Sequence, residues 1–157
     1  MLNLEGAQAG LSWSIVLAKR DEYKKAFHDF DIEYCLQLSD EELEKIRQDY
    51  NVIKNSAKIK AVRSNAAAVI QLKKEFGSFS EFLWSYVDFK PVVNSWQTEG
   101  QMPAQSDLSE QISKDLKKRG FKFVGPVIIY SFLQAIGMVD DHIKTCPQHT
   151  ANRPTVK

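Results

Sequence analysis

Apolar residues recur along most of the chain at intervals of three and four, the spacing of one face of an α-helix. The recurrences fall in three runs, which are Leu11, Ile15, Val16 and Leu17, then Ile59, Val62, Ala66, Val69 and Ile70, then Phe79, Phe82, Leu83 and Tyr86. Each run favours a helix. The pattern therefore predicts an all-α fold.

Two pairs of residues mark predicted helix starts. Ser39 precedes Glu42, and Ser78 precedes Glu81, each by three positions. In such a capping box, the hydroxyl and the carboxylate satisfy amide groups that the first helical turn leaves free. Helices are therefore predicted to begin directly after Ser39 and Ser78.

Proline and glycine interrupt the helical pattern from Asp88 to Ser106. The interruption favours an ordered loop, with Trp96 attaching it to the core. Helix is predicted again over residues 107–119 and, from a proline at its first position, over 126–136. The stretch from Thr145 onward is predicted to hold little regular structure.

Composition narrows the class of protein. With 157 residues, 43% of them hydrophobic and 26% charged, the chain suits one globular domain. The 21 basic and 20 acidic residues nearly cancel, so a DNA-binding prediction must rest on local clusters of lysine and arginine.

Two cysteines far apart favour a reducing compartment, the cytoplasm. Residues 1–8 do not resemble the start of a secretory signal, and the sequence has no run of about 18 apolar residues, so neither secretion nor membrane insertion is expected.

The first candidate for chemistry is the segment from Lys117 to Gly125, KKRGFKFVG, where a basic helix end meets a turn bounded by Gly120 and Gly125. It has the plan of a helix-hairpin-helix, predicted over residues 114–137. Its glycines and free amides would approach a phosphate and Lys122 would add attraction, so the turn would bind DNA backbone without reading bases. The spacing fits equally well an ordinary helix–helix corner with solvated lysines.

Two further clusters are weaker on their own. Residues 4–13, LEGAQAGLSW, place Glu5 and Trp13 on either side of a small-residue turn. Without further context, this pattern also fits an exposed helix acid and a core aromatic residue. His142 and Cys146 stand four positions apart and could share one metal ion, but zinc normally takes four ligands. A chance His and Cys near a terminus is the alternative interpretation.

Taken together and in this order, the three segments resemble the 3-methyladenine DNA glycosylase I family. The similarity covers nearly the whole chain and includes Trp84-Ser85, Tyr130-Ser131-Phe132 and Gln134. It implies a helix-hairpin-helix glycosylase fold stabilised by zinc, as a single helical domain over residues 1–157. It also implies base excision repair, with hydrolysis of the N-glycosidic bond of 3-methyladenine and release of the base. The implied partner is double-stranded DNA with alkylated adenine, bound by a monomer.

The resemblance assigns roles at the base pocket. Glu5 matches the glutamate that recognises the flipped base and is the predicted catalytic residue, while Trp13 matches the tryptophan that stacks on the base. A carboxylate and an indole face both attract a cationic methylated adenine more than normal adenine. Methylation also weakens the glycosidic bond, so less acid–base assistance is needed.

The resemblance also assigns DNA contacts. Gly10 and Leu11 match the turn that fills the gap left by the extruded nucleotide, where an apolar wedge suits unstacked bases. The predicted backbone contacts are Gly120, Lys122 and Gly125. Related glycosylases carry a catalytic aspartate near the positions of Asp140 and Asp141. The resembled family works without one, so these two are predicted to cap or orient the segment around His142.

The expected zinc site is incomplete. His142 and Cys146, within residues 140–149, match the C-terminal pair of ligands. In the family, a preceding segment supplies a Cys, a His and pocket aromatics, whereas here Met1 stands where the middle of the first helix is expected. We therefore expect an N-terminally truncated form of the fold, either a fragment or mis-started reading of a longer protein or a diverged form of weak activity. His149 could supply a third ligand.

Three hypotheses follow from these patterns. The leading one is an active 3-methyladenine glycosylase. The second is a DNA-binding remnant that keeps the hairpin and does not catalyse, or does so weakly. The third, an interaction protein without a DNA role, leaves the hairpin glycines and lysines unexplained.

Overall fold

Helices dominate the computed structural model, which describes residues 1–153, and the all-α prediction is confirmed. The helices are α1 (Leu2–Gln8), α2 (Trp13–Ala18), α3 (Arg20–Ala26), α4 (Ile32–Gln37), α5 (Asp40–Asp49), α6 (Ser56–Phe76), α7 (Phe79–Trp84), α8 (Asp107–Lys118) and α9 (Pro126–Ala135). Single 3-10 turns cover His28–Phe30, Ser85–Val87, Glu99–Gln101 and Thr150–Asn152. The last of these gives some regular structure to the stretch after Thr145, whose residues 154–157 lie outside the described part.

One predicted capping box is complete and the other is half formed. The Ser39 hydroxyl accepts from the Glu42 amide at 3.1 Å, and the Glu42 carboxylate accepts from the Ser39 amide at 2.8 Å. Ser78 accepts from the Glu81 amide at 2.9 Å, and within the described residues α7 shows no return bond. A Cβ built on Gly77 would lie 2.5 Å from Glu81 Oε2, so this carboxylate lies beside Gly77 instead.

The long helix α6 connects two clusters of buried residues. Its first half packs with α3, α4 and α5 in one cluster that contains Ile59, Val62 and Ala66. Its second half packs with α7, α8 and α9 in the other, through Ala68 and Leu72. The apolar spacing along α6 therefore predicted a real core face. The single domain over residues 1–157 stays a prediction.

The apolar run from Leu11 to Leu17 contains the predicted helix, α2, which is only six residues long. Val16 is fully buried, whereas Ile15 is 43% exposed and Leu17 is 51% exposed. Helix α2 therefore contributes one side chain, that of Val16, to the core.

The loop between α7 and α8 is ordered and contains a strand that the sequence did not predict. Strand β1 (Val92–Val93) pairs in parallel with β2 (Val139–Asp140), which follows α9. The Trp96 indole donates to the Asp141 carboxylate at 2.7 Å. Trp96 therefore holds the loop to the body of the protein, as predicted, through a hydrogen bond to a buried acid.

Helices α8 and α9 are joined by a tight turn at residues 119–125. Gly120 has a φ of +90°, which the turn requires and which side chains disfavour. The buried Ser113 hydroxyl of α8 donates to the Val124 carbonyl at 2.6 Å. Gly125 is the N-cap of α9, and Pro126 occupies its first turn as predicted. The two helices and their glycine-bounded turn therefore form as the sequence predicts.

Candidate active site and DNA-contacting surface

Glu5 is a buried carboxylate on the first helix. Its residue is only 5% exposed, because α1 packs against α6 and α9. Within residues 1–153, hydrogen bonding does not contribute to the ionisation of this carboxylate, and burial raises its pKa. Glu5 is therefore held in an environment that disfavours its charge. The positive charge of the Met1 amino group offsets this effect only in part, so a cationic ligand would further stabilise the ionised carboxylate.

Glu5 and Trp13 line one cavity of about 210 Å³, together with Gln8 and Ser131. The sequence allowed an exposed Glu5 and a core Trp13, but the structure shows the reverse: Glu5 is buried and Trp13 is 37% exposed. Ser131 reaches the cavity from α9, after the hairpin. The structure therefore brings the two predicted base-binding residues together, with the Glu5 carboxylate in the wall of the cavity and the Trp13 indole at its rim.

The turn between Glu5 and Trp13 joins α1 to α2 and is partly exposed. Gly10 is exposed with a φ of +76°, and Leu11 is partly exposed. The Leu11 amide donates to the Gln8 carbonyl at 2.7 Å, and the Gln8 side chain donates to the Leu11 carbonyl at 2.8 Å. This arrangement holds an apolar side chain next to the cavity, where the resemblance assigned the wedge.

The hairpin turn lies directly against the first helix. A Cβ on Gly6 would lie 3.0 Å from Phe123 Cβ and 3.1 Å from its carbonyl oxygen, so a side chain at this position would force Phe123 to shift by a few tenths of an ångström. Asn65 of α6 accepts from the Lys122 amide at 2.8 Å and donates to the Asn3 side chain at 2.7 Å. The helix that carries Glu5 is therefore fixed to the turn that carries Lys122.

The basic residues of the hairpin differ in availability. Lys117 and Lys122 are exposed. Arg119 instead pairs with Glu75, with one hydrogen bond of 3.0 Å, and its guanidinium lies 4.9 Å from the centre of the Phe76 ring. The sequence grouped Arg119 with the lysines as one basic helix end. In the structure this arginine ties α8 to α6, which leaves the lysines to face solvent.

Asp140 organises the segment around His142, as predicted. Its carboxylate accepts from the His142 amide at 3.1 Å, lies 2.7 Å from His142 Nδ1, and accepts from the Thr150 amide at 2.7 Å. Burial raises the pKa of Asp140, but the hydrogen bonds from Thr150 and His142 outweigh it, so that the pKa is lowered. Asp140 is therefore an ionised organiser of this segment.

Asp141 forms its hydrogen bonds with the loop before α8 and with α9, and not with His142. It accepts from Asn94 at 2.6 Å, from Trp96 at 2.7 Å and from Gln134 at 2.6 Å. Burial raises its pKa, and the hydrogen bonds from Tyr130, Trp96, Asn94 and Gln134 reverse the effect and lower it. With these donors around it, Asp141 is poorly placed to activate water, in line with the sequence analysis.

The two predicted metal ligands line a different cavity of about 530 Å³, which also contains Glu99 and Met102. His142 Nε2 stays available because Asp140 holds Nδ1. His149 is excluded as a third ligand, since Nε2 lies 3.0 Å from the Asn94 carbonyl and Nδ1 accepts from the Ala151 amide at 3.1 Å. Residues 1–153 contain no group of three His, Cys, Asp or Glu placed to hold a metal ion. His142 and Cys146 fit half of a tetrahedral zinc site.

Comparison with known proteins gives the class to which this fold and site belong. The methyladenine glycosylase family matches residues 1–149. The chain therefore belongs to the methyladenine glycosylase family. None of the helices in the described part is both long and apolar enough to cross a membrane.

Particular relatives agree with this assignment. DNA-3-methyladenine glycosylase 1 of Escherichia coli K12 is 43% identical over 154 residues, covering 98% of this chain and 82% of that protein. DNA-3-methyladenine glycosylase of Haemophilus influenzae is 41% identical, covering 94% and 80%. A crystal structure of 3-methyladenine DNA glycosylase I superposes with a TM-score of 0.90 at 42% identity, covering 94% of this chain and 81% of that one. The Staphylococcus aureus enzyme, whose structure addresses 3-methyladenine recognition, has a TM-score of 0.91 at 38% identity, covering 94% and 79%.

Proposed function

We propose that the protein is a DNA-repair glycosylase that hydrolyses the N-glycosidic bond of 3-methyladenine, releasing the base and leaving an abasic site. The observation that carries this proposal is the buried Glu5 carboxylate, which shares a small cavity with the exposed Trp13 indole. The names and structures of the relatives support the same reaction.

The site favours a methylated base through charge. A 3-methylated adenine in DNA is cationic, so its attraction to a carboxylate and to an indole face exceeds that of neutral adenine. The Met1 amino group does not overcome the cost of burying the Glu5 charge, so a cationic base would stabilise the ionised form. Water adds to the sugar carbon C1′ as the bond to the base breaks, and its proton passes to the solvent, which leaves a hydroxyl on C1′. The bonding electrons leave with the base and neutralise its positive charge.

An excision assay tests the reaction. The parent chain is incubated with duplex DNA carrying 3-methyladenine, and both the free base and the abasic site are measured, with unmethylated duplex as the control. Release of base together with strand breaks after alkali treatment supports the proposal. Tight DNA binding without any base release would instead identify the non-catalytic remnant.

Binding to double-stranded DNA is proposed to occur through the hairpin backbone and the turn at Gly10 and Leu11. The Gly120 and Gly125 turn exposes amides at the start of α9, and Lys122 extends the positive surface beside it. Such contacts reach phosphates and leave base edges unread. The protein is proposed to act as a monomer in the cytoplasm, which sedimentation and cell fractionation would check.

Reversing the charge at Lys122 should weaken binding to every duplex sequence alike. We expect Lys122→Glu to lower the slope of the logarithm of affinity against the logarithm of salt concentration by about 1 or more. Lys45→Glu, at an exposed position on α5, is the matched control. Fluorescence anisotropy over a salt series measures both. An unchanged affinity of the Lys122 variant at low salt would show that the hairpin is not the contact surface.

Zinc binding is proposed to be weak in this chain. His142 and Cys146 would hold the ion, with Asp140 orienting the imidazole, and two ligands supply only part of the roughly 10 kcal/mol or more of a complete structural site. The segment is also held without metal, since Asn152 donates to the Lys144 and Cys146 carbonyls. We expect dialysis against a chelator to remove the metal while the melting temperature stays nearly constant. One zinc per chain that survives this dialysis would overturn the expectation.

A further inference from the structure

Lys58 is a partly buried lysine whose ammonium group is directed at the backbone of the first helix. It lies on the first turn of α6, and its Nζ donates to the Ala7 carbonyl at 2.8 Å and to the Ala9 carbonyl at 2.6 Å. These carbonyls belong to the last turn of α1 and to its C-cap. A helix end presents carbonyls without partners and a partial negative charge, so a lysine there is stabilising.

The segment that Lys58 holds has little else to fix it. Ahead of it, α1 is anchored through the buried residues Leu4, Glu5, Gly6 and Ala7. After it, α2 is anchored by Val16. Between these anchors, Gly10 and Ser12 are exposed and Leu11 is only partly covered. Apart from the bonds between Gln8 and Leu11 described above, the contacts of Lys58 give this turn its attachment to the body of the protein.

We propose that Lys58 is a positioning residue that sets the height and direction of the Gly10-Leu11 turn, so that Leu11 can enter the space left by an extruded nucleotide. This inference rests on the proposed glycosylase function. Lys58 acts through the turn and does not touch the base, because the cavity with Glu5 and Trp13 is lined without it. Glu5 and Trp13 keep their own anchors when Lys58 is replaced.

This placement makes two steps separable. Binding of the free base needs Glu5 and Trp13, whereas extrusion of a nucleotide from a duplex needs the wedge at a fixed position. A displacement of about 1 Å in a positioning element can lower a rate roughly 100-fold without changing the groups that bind the ligand. Loss of Lys58 should therefore affect extrusion and leave free-base binding intact.

The test compares Lys58→Met, which keeps the length and apolar stem of the side chain, with Lys58→Arg, which keeps the cation. Lys54→Met is the matched control, because Lys54 also donates to two helix-end carbonyls, those of Gln48 at 2.9 Å and Tyr50 at 2.6 Å, outside the site. Free 3-methyladenine binding is measured by calorimetry. Excision is measured by single turnover, and extrusion by 2-aminopurine fluorescence beside the lesion.

We expect Lys58→Met to bind free 3-methyladenine as the parent does, to excise it roughly 10- to 100-fold more slowly from duplex, and to lose the 2-aminopurine signal. Lys58→Arg should recover part of the excision rate, and Lys54→Met should match the parent. Parental excision by Lys58→Met would overturn the proposal. Equal losses of free-base binding and excision would also overturn it, since they would show a general defect of the site.

A second measurement separates this inference from the proposed function. Hydrogen exchange of the Leu11 amide, which bonds to the Gln8 carbonyl, reports the order of the turn without any DNA. Lys58→Met should speed this exchange, and Lys54→Met should not. If the parent excises no base, the proposed function is wrong, but the exchange result still tests whether Lys58 orders the turn. Unchanged exchange would contradict its positioning role whatever the activity.

Discussion

Replacing Glu5 with glutamine should lower excision of 3-methyladenine from duplex DNA roughly 10- to 100-fold, the equivalent of losing one hydrogen bond to a charged group. The substitution keeps the shape of the side chain and removes the charge that a cationic base would meet. The fold should remain, since α1 is held by Leu4, Ala7 and Gly6 as well. Glu41→Gln, at an exposed acid on α5, is the matched control and should leave excision unchanged.

The same variant should gain stability at neutral pH. Burial raises the folded-state pKa of Glu5, so its ionised form destabilises the fold, and the contribution of Glu5 is most favourable below the unfolded pKa and is lost as pH rises through the folded pKa. Urea denaturation at pH 7 should therefore show a higher free energy of unfolding for Glu5→Gln than for the parent. The difference should shrink as the pH is lowered and both states become protonated.

Excision should depend on pH in the opposite direction. Recognition of a cation requires the ionised carboxylate, so the parent should lose excision as pH falls through the raised pKa of Glu5, earlier than an exposed glutamate would cause. The residual excision by Glu5→Gln should not show this loss of rate as the pH falls. Parental excision rates in the variant, at every pH, would remove Glu5 from the recognition site.

Replacing Asn65 with leucine should destabilise the protein by about 2–4 kcal/mol. Leucine has a similar volume, but the Lys122 amide and the Asn3 side chain both lose the partner that now joins them. The hairpin would then be held to α1 by packing alone. Urea denaturation measures the loss of stability, with Gln71→Leu at an exposed position of the same helix as the control. A difference below about 0.5 kcal/mol, the range of ordinary surface changes, would contradict a linking role for Asn65.

The Asn65 variant should also show a functional defect below its melting temperature. In the proposed function, the hairpin provides DNA affinity and α1 with its turn provides extrusion, so loosening their connection should lower excision more than it lowers binding. Anisotropy and single-turnover excision, measured on the same preparation, give the two quantities. Equal losses of DNA affinity and of excision rate would indicate that the variant is partly unfolded, and not that the hairpin and α1 are uncoupled.

Local signals predicted the helices well where those signals are strong. The capping box at Ser39 and Pro126 after Gly125 each placed the start of a helix within about one residue. The apolar spacing from Ile59 to Ile70 located α6 but not its two ends. Strand β1 was missed because two residues are too few for any periodicity, and its partner β2 lies far along the chain. Helix α2 forms where the apolar spacing indicates a helix, but that spacing does not show that only Val16 is buried.

The candidate site was predicted in its parts but not in its assembly. Glu5 and Trp13 were found through the resemblance, whereas the burial of Glu5 comes from contacts with α6 and α9 that no local pattern contains. Ser131 joins the cavity for the same reason. Lys58 and Asn65 did leave a trace in the sequence. They flank Val62 at helical spacing, as polar residues on an otherwise apolar face of α6, and such positions deserve a search for a distant partner.

The contact between Gly6 and Phe123 has a consequence for how lesions would be searched. Both sides of this contact are backbone or Cβ atoms, so it disfavours a change in the spacing between the hairpin, where we propose that a phosphate binds, and the cavity that contains Glu5. On a duplex, this spacing corresponds to a constant number of nucleotides. A methylated base one nucleotide out of register is then beyond reach by bending. The proposed glycosylase must step along the strand, releasing and rebinding its phosphates, to examine each successive adenine.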